Sequence, residues 1–338
     1  MAVGRFTYGE RETAMTIDRK DIEGDQAFRG EGLLGRGHDN TFSGALSFLR
    51  RKYSRDVTGA DIAVVGVPFD LATTNRSGAR LGPRAMRAGS AELSSLNAFP
   101  FGFDPFDYLG VVDWGDIYFD WGHGTAVPGI ITKEISGILS QGAKTLCLGG
   151  DHFITYPILK AYCEKYGPIR LVHFDAHCDT WPDDGTRMDH GSMFARAATE
   201  GIVIPEKSVQ VGLRTWNDDD YGFTELNAPW VHKNGVQATI DKILEVVGTD
   251  GPAYMTFDID CLDPAFAPGT GTPVSGGLSS AQALEIVRAL GPIDWVGADV
   301  VEVAPAYDHG EITALAAATI AHDWLCLMAE KKRGAKNA

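Results

Sequence analysis

The sequence is short of positive charge. Its 338 residues include 30 lysines and arginines against 45 aspartates and glutamates, which gives a formal net charge of −15 with neutral histidines. A chain this acidic lacks the cationic surface that nucleic acids and anionic membranes attract, so we expect neither as a partner. The same imbalance favours the binding of cations, either metal ions or a positively charged small molecule.

Cysteine pairs and targeting segments are also lacking. The five cysteines are scattered and form no C-x-x-C pair, which indicates reduced thiols rather than a disulfide framework. Residues 1–20 contain no apolar run typical of a secretory signal. The longest apolar stretch, 312–329, approaches membrane-span length but contains His322 and Asp323, so we expect a packed core helix. These features favour a cytoplasmic protein.

What the chain does contain is a regular alternation of short and long apolar patterns. Short runs rich in β-branched residues predict strands at 62–66, 145–148, 170–174, 208–213, 253–257 and 295–301. The longer patterns predict helices at 83–93, 130–141, 156–166, 236–247, 280–290 and 312–329.

Alternating strands and helices predict crossover connections. We therefore expect a single-domain, three-layer α/β/α fold with a mostly parallel sheet of about eight strands. No linker divides residues 60–330. The predicted organisation is an irregular N-terminal arm at 1–40, one catalytic domain at 41–330 and a C-terminal tail at 331–338.

Metal-competent side chains follow three of the predicted strands. Because the carboxyl ends of parallel strands meet at one edge of a sheet, we expect these side chains to converge. Converging carboxylates repel one another unless divalent cations neutralise them, and carboxylates with imidazoles suit Mn²⁺, Fe²⁺, Ni²⁺ or Zn²⁺. Six ligands favour a two-ion site in which a bound water is the nucleophile. The candidate ligands are His152, Asp175, His177, Asp179, Asp258 and Asp260.

Two neighbouring residues have open roles. His173 shares the alternating face with Asp175 but lies inside its strand, so it either supports a ligand or belongs to the core. Asp151 either orients a ligand or caps the turn that follows Gly150.

These motifs resemble the ureohydrolase family of arginases and agmatinases. The resemblance covers roughly residues 35–330 and is closest to bacterial agmatinases, particularly at 301–308 and 311–318. It implies an arginase-like fold, two Mn²⁺ per subunit with Ni²⁺ as the alternative, and a homo-oligomer of three or six copies. The matching segments are Gly-Gly-Asp-His at 149–152, His-Phe-Asp-Ala-His-Cys-Asp-Thr at 173–180 and Phe-Asp-Ile-Asp-Cys-Leu-Asp-Pro at 257–264, continuing to Pro273.

The resemblance also implies roles for individual residues. Asp175 and Asp258 would bridge the two ions, and a hydroxide between the ions would attack a guanidinium carbon. The pattern Asp-His-Gly-Ser-Met-Phe at 189–194 makes His190 the expected proton shuttle. Glu302, after the strand 295–301, would bind the guanidinium bidentately. Asp179 is expected to be catalytic as well as a ligand.

The implied reaction is hydrolysis of a small cationic guanidino compound to urea and an amine. Agmatine, which would give putrescine, is the first expectation because an acidic mouth suits its distal ammonium. Guanidinobutyrate, guanidinopropionate, guanidine and alkylguanidines such as dimethylguanidine and metformin are the alternatives. A loop at 69–83 either contacts the substrate tail or is a structural turn. In the loop at 181–188, Asp183 and Asp184 face either an ammonium or solvent, and Trp181 either lines the tail or packs.

Two other classes of protein are alternatives. A non-catalytic subunit of a ureohydrolase oligomer should lack a metal ligand or the shuttle histidine, and this chain has them all. A two-metal phosphoesterase would need cationic side chains beside the metals, for which Arg187 and Arg214 are the nearest candidates.

Overall fold

A computed structural model of the chain describes residues 40–94 and 97–337, together with the short segments 22–23, 26–29, 32–35 and 37–38. Nine strands in this part of the chain form one sheet, in which each pairing is parallel. The predicted parallel sheet is thus confirmed, with nine strands where about eight were expected. The strands are β1 Lys52–Tyr53, β2 Ile62–Val67, β3 Val111–Asp116, β4 Lys144–Gly149, β5 Arg170–Phe174, β6 Val209–Val211, β7 Thr224–Leu226, β8 Pro252–Asp258 and β9 Asp294–Val301.

The spatial order of the strands is β1-β3-β2-β4-β9-β8-β5-β6-β7. Helices connect most successive strands, as is usual for parallel crossovers, whereas the connections 54–61 (β1 to β2) and 212–223 (β6 to β7) contain no helix. The main helices are α1 Gly82–Gly89, α2 Val127–Ser140, α3 Thr155–Tyr166, α4 Met193–Thr199, α5 Ala228–Val247, α6 Ser280–Ala289 and α7 Ile312–Asn337.

Both faces of the sheet are buried, which makes three layers. Successive residues of β2 alternate between two apolar clusters: Ile62 and Val64 join one, and Ala63 and Val65 join the other. The first cluster includes α1, α5, α6 and α7, whereas the second includes α2, α3 and α4. This is the α/β/α arrangement predicted from the alternation of strands and helices.

Each predicted strand and helix has a counterpart, with ends that differ by a few residues. The helix predicted at 236–247 is the second part of α5, because Gly235 has a φ of 86° and interrupts the helical backbone. The predicted C-terminal tail at 331–338 belongs to α7 as far as Asn337. Most of the predicted arm at 1–40 lies outside the described residues.

By length and composition, the described residues include one helix that could cross a membrane, over Ile312–Ala335. However, 78% of its most apolar window is buried inside the fold. Trp324 and Leu325 are fully buried in the first apolar cluster. This is the burial of a core helix, as the sequence predicts.

A row of polar residues crosses the sheet one layer below its carboxyl edge. Strand register places Gln210 beside His173, His173 beside Thr256, and Thr256 beside Asp299. All four are fully buried. Because side chains on one face of a strand recur every second residue, the next layer on this face contains Asp258, at the end of β8. The polar row therefore lies directly beneath the candidate metal ligands.

Candidate metal centre and active site

The six candidate ligands converge at the carboxyl edge of three strands. β4 leads through Gly149 and Gly150 to His152, where a helical turn over His152–Ile154 begins. Only glycine fits at position 150, because a Cβ there would lie 1.8 Å from the carbonyl oxygen of Phe69. β5 leads to Asp175, His177 and Asp179, and β8 to Asp258 and Asp260.

The ligand atoms form two groups that share Asp175. His152 Nδ1 lies 2.9 Å from Asp175 Oδ2, 3.0 Å from Asp179 Oδ2 and 3.3 Å from Asp258 Oδ2. In the second group, His177 Nδ1 lies 3.2 Å from Asp175 Oδ1. The two carboxylate oxygens of Asp175 thus face different imidazoles, which is the arrangement of a bridging ligand. Asp260 Oδ2 completes the second group, 3.2 Å from the same nitrogen of His177.

Two buried atoms at this point have close oppositely charged neighbours but no well-aligned hydrogen bond among the described residues. Neither His152 Nδ1 nor Asp179 Oδ2 makes a directed hydrogen bond within the part of the chain that the structure describes. Burial, and then the neighbouring Asp175, raise the pKa of Asp179 to about 7. Burial also raises the pKa of Asp258 well above its ordinary value. Divalent cations would satisfy these two atoms and neutralise the carboxylates, so this donor set fits a metal centre.

His173 lies among the candidate ligands and contacts Asp175. Its Nε2 lies 2.7 Å from Asp175 Oδ2, and its Nδ1 accepts a hydrogen bond of 3.0 Å from Gln210 Nε2. Burial lowers the pKa of His173 to about 4, so the ring is neutral and its remaining proton points to Asp175. Both ring nitrogens are engaged within the protein, which favours a supporting role over that of a ligand.

Asp151 fastens the loop at 69–83 to the site. Its Oδ2 accepts a hydrogen bond of 2.8 Å from the amide of Ala72, and its own amide donates to the carbonyl of Phe69 at 2.7 Å. Asp70, at the start of the loop, accepts from the amide of Gly78 at 2.8 Å. The carboxylate of Asp151 therefore holds a loop in place beside the ligand cluster.

Glu302 and His190 form a buried pair beside this cluster. Glu302 Oε1 accepts a hydrogen bond of 2.8 Å from the amide of His152 and lies 2.8 Å from His190 Nδ1. The second oxygen, Oε2, is buried and has no hydrogen-bond partner among the described residues. Although burial opposes the charged imidazole, the Glu302 carboxylate raises the pKa of His190 to about 9. Glu302 thus retains one carboxylate oxygen for an added cationic donor.

Two site residues have a left-handed backbone. The φ angle of Asp179 is 54° and that of Glu302 is 63°. Side chains other than glycine rarely adopt this conformation, which costs of order 1–3 kcal/mol. The surrounding contacts therefore hold both carboxylates in place against a local preference for other backbone angles.

Thr74 contacts the outer nitrogen of His190 twice. The amide of Thr74 lies 3.0 Å from His190 Nε2, and its hydroxyl lies 2.8 Å from the same atom. The amide can donate only to the neutral ring, whereas the hydroxyl can accept from the protonated ring. Thr74 thus offers His190 a partner in both protonation states, as a proton shuttle requires. Thr74 thus brings the loop at 69–83 into direct contact with a candidate site residue, so the loop is more than a structural turn.

The site opens into a cavity of about 530 Å³. Thr74, His177, Asp179, His190 and Asp258 are among the residues that line it. The candidate metal ligands, His190 and the loop at 69–83 therefore share one solvent-connected space of the size expected for a small-molecule site.

The two aspartates of the loop at 181–188 have different surroundings. Asp183 accepts hydrogen bonds from Arg196 Nε at 3.0 Å and from Ser192 Oγ at 2.7 Å. Asp184 accepts from the backbone of its own turn and is exposed, as the solvent-facing alternative expects. Neither of the two open interpretations for Asp183 holds, because it faces a buried arginine and not an ammonium or solvent.

Trp181 and the Arg187–Asp189 ion pair line the outer part of the cavity. The ring centroid of Trp181 lies 6.1 Å from that of His177. The Arg187 side chain is 53% exposed, so it lies at the cavity mouth. Trp181 therefore lines the cavity beside the imidazole of a candidate metal ligand.

Arg214, the other cation considered for a phosphate site, is engaged by the backbone. Its guanidinium donates to backbone carbonyls, including those of Gly212 at 2.9 Å and Asp260 at 2.6 Å. An arginine whose donors are already bonded to backbone carbonyls is not available to a phosphate group. The phosphoesterase alternative therefore loses one of its two cations, and Arg187 is already paired with Asp189.

The sequence interpretation did not single out four residues at or beneath the site: Thr74, which lies within the predicted loop at 69–83, and Gln210, Thr256 and Asp299. One of them had a visible signal, since Asp299 is a charged residue in the middle of the apolar run of β9. Thr256 precedes Asp258 by two residues and shares its face, but threonine is common in strands and gives no such signal.

Comparison with known proteins agrees with this geometry. A sequence model of the arginase family matches residues 60–326. The agmatinase of Chromobacterium violaceum is 58% identical over 313 residues, which cover 92% of this chain and 97% of that protein. The agmatinase of Enterobacter sp. (strain 638) is 48% identical over 306 residues, covering 88% of this chain and 98% of that protein.

Solved structures give the same result. A crystal structure of a hypothetical agmatinase from Burkholderia thailandensis, 57% identical, superposes with a TM-score of 0.92 and covers 94% of this chain and 100% of that one. Proclavaminate amidino hydrolase from Streptomyces clavuligerus, 38% identical, has a TM-score of 0.81 and covers 86% of this chain and 99% of that one. The fold, the ligand cluster and these relatives together show that the chain belongs to the arginase family.

Proposed function

We propose that this protein hydrolyses agmatine to putrescine and urea. The observation that carries the proposal is the unpartnered Oε2 of Glu302, a buried carboxylate oxygen beside the ligand cluster and His190. A planar guanidinium is the cation whose paired N–H donors suit such a carboxylate. Two relatives at 58% and 48% identity are agmatinases, which supports agmatine as the compound that carries this guanidinium.

We propose two Mn²⁺ ions per chain, with Ni²⁺ as the alternative metal. The first group of ligands is His152, Asp175, Asp179 and Asp258, and the second is Asp175, His177, Asp258 and Asp260. When bound, such a pair supplies Lewis acidity and lowers the pKa of water so that a nucleophile is present at neutral pH. All six ligand residues, His190 and Glu302 are in place, which argues against a non-catalytic subunit.

The side chains of this protein supply orientation and proton transfer. Glu302 fixes the plane of the guanidinium, which holds its carbon at one distance from the ligand cluster. His190 is protonated at neutral pH because the Glu302 carboxylate raises its pKa to about 9, against the effect of burial. The proton of His190 passes to the amine that leaves, and Thr74 stabilises the ring before and after the transfer.

The outer cavity discriminates between substrate tails. Asp183 is neutralised by Arg196, so Asp189 is the carboxylate of this region that a distal ammonium reaches, in competition with Arg187. Trp181 covers the methylene groups of the tail. The same arrangement would suit guanidinobutyrate if Arg187 were to bind its carboxylate, and this is the main alternative substrate.

A substrate panel tests the proposal. The Mn²⁺-loaded protein is incubated separately with agmatine, guanidinobutyrate, guanidinopropionate, guanidine and metformin, and urea is measured. We expect the highest kcat/KM for agmatine, and putrescine in equal amount to urea. A protein that retains two Mn²⁺ per chain and releases no urea from any of these compounds would contradict the ureohydrolase function.

We further propose that the protein acts in the cytoplasm as a homo-oligomer of three or six copies. The five cysteines are free, which suits a reducing compartment. Light scattering on the purified protein tests the assembly, and a monomer at micromolar concentration would contradict it.

A further inference from the structure

A continuous chain of hydrogen bonds connects the polar row to one metal ligand. His152 Nε2 lies 2.8 Å from Thr256 Oγ1, and Thr256 Oγ1 donates to Asp299 Oδ1 at 2.6 Å. Thr256 and Asp299 are direct neighbours across β8 and β9. All three residues are buried to at least 99%, so water does not compete for these contacts.

The direction of these hydrogen bonds follows from a count of donors. Asp299 Oδ2 already accepts from the hydroxyls of Thr155 at 2.9 Å and Tyr254 at 3.0 Å. Asp299 is therefore surrounded by donors, and Thr256 gives its single hydroxyl proton to Oδ1. The oxygen of Thr256 is then left as an acceptor, and the partner it accepts from is His152 Nε2.

We propose that Asp299 and Thr256 are positioning residues that hold His152 in the form protonated on Nε2, with the Nδ1 lone pair directed at one metal position. This inference rests on the proposed metal centre and deepens it. The geometry agrees at the other end of the ring, where Nδ1 lies about equally far from Asp175 and Asp179 and makes no directed hydrogen bond within the described residues. A neutral imidazole with a free Nδ1 is the form that binds a metal ion.

The two metal positions are therefore supported differently. The first position contains His152, whose ring is held from inside the sheet by the hydrogen bonds through Thr256 and Asp299. The second contains His177, whose side chain is 16% exposed and lines the cavity. Loss of these hydrogen bonds is thus expected to lower the metal affinity of the first position and to leave that of the second unaffected.

The decisive variant is Thr256→Val, which removes the hydroxyl and retains the side-chain shape. Removing the partner of a metal-binding histidine typically weakens metal affinity by about 10- to 100-fold. Thr256→Ser retains the hydroxyl and should bind both ions within about threefold of the parent. Thr155→Val is the matched control, because it removes a hydroxyl donor to Asp299 without touching the ring of His152.

The experiment measures Mn²⁺ binding to the metal-free forms of each full-length protein. Competition titration gives the affinity of each position, electron paramagnetic resonance distinguishes a coupled Mn²⁺ pair from a single ion, and thermal unfolding of the metal-free forms reports the structural effect. We expect Thr256→Val to lose affinity at one position only and to lose the pair spectrum. Asp299→Asn, should Thr256→Val fail to fold, is expected to give the same loss at one position.

Two results would overturn the inference. One is parent-like affinity at both positions in Thr256→Val, and the other is a loss in Thr155→Val as large as that in Thr256→Val. Either result, with a parent protein that binds two ions and releases urea, would leave the proposed function intact. A parent protein that binds no Mn²⁺ would overturn the metal centre, and the inference would fail with it.

Discussion

Replacing Glu302 by glutamine isolates the interaction that distinguishes guanidinium binding from metal binding. Glu302 Oε1 has two partners, the amide of His152 and Nδ1 of His190, and both are donors when the shuttle is protonated. The amide oxygen of the glutamine must therefore occupy the Oε1 position. Its NH₂ group then occupies the position of Oε2, where it directs a donor at the N–H groups of the guanidinium.

The expected loss in kcat/KM follows from the replacement of an acceptor oxygen by a donor group. A hydrogen bond to a charged group is worth about 1.5–3 kcal/mol, and a buried donor without an acceptor costs about 1–3 kcal/mol. Together these give about 2.5–6 kcal/mol, which corresponds to about 10²- to 10⁴-fold in kcat/KM. The pKa of His190 should fall as well, because burial then acts on the ring without the opposing Glu302 charge.

The assay is urea release from agmatine between pH 6 and pH 10, with bound Mn²⁺ measured on the same samples. In the parent, kcat/KM should decline on the alkaline side with a limb near the His190 pKa of about 9, because the proton donor is lost above it. In Glu302→Gln, the limb should move to lower pH while two Mn²⁺ are retained. Glu311→Gln, at an exposed position, removes the same charge as a control. A loss below about threefold with an unmoved limb would refute the assignment of Glu302.

Three further changes test other parts of the site. Asp258→Asn removes a charge from the shared position of the ligand cluster, so bound Mn²⁺ after gel filtration should fall by at least one ion per chain; two retained ions would contradict the ligand assignment. Arg187→Ala should free Asp189 and shift the agmatine-to-guanidinobutyrate ratio of kcat/KM towards agmatine by about fivefold, the worth of one exposed charge. Equal changes for both substrates would exclude this pair from specificity. Thr74→Val removes the acceptor of the protonated His190 ring, so the alkaline limb should move down by about one pH unit, and Thr74→Ser should restore it.

The ligand positions could be predicted because they depend on short-range order. An apolar run that ends in alternating polar residues indicates a strand end, and parallel topology brings strand ends together. His152, Asp175 and Asp258 each follow such a run, and the structure places a carboxylate oxygen of each aspartate within 3.3 Å of His152 Nδ1. The family resemblance added roles for His190 and Glu302, which the spacing alone does not give.

Other parts of the fold depend on partners far along the chain. β3 escaped prediction because Asp113 interrupts its apolar run, yet this carboxylate is fully buried and paired with Arg87 of α1 at 2.8 Å. Asp183 could not be assigned from its loop because its partner, Arg196, lies on α4, a short helix that the apolar pattern did not reveal. In both cases, a charged residue is buried because it pairs with a distant arginine. Its burial therefore leaves no apolar pattern from which it could be predicted.

The order of the strands explains why the support beneath the metal centre is absent from any local pattern. β8 lies between β5 and β9 in the sheet, although these strands are separated along the chain by α4, α5 and α6. Thr256 meets His173 on one side and Asp299 on the other only because of this order and register. A one-residue shift of β8 would direct Thr256 to the opposite face and break the contact with His152. The register of three central strands is thus a condition for the proposed support of His152, and a substitution that alters it should lower metal affinity without replacing any candidate ligand.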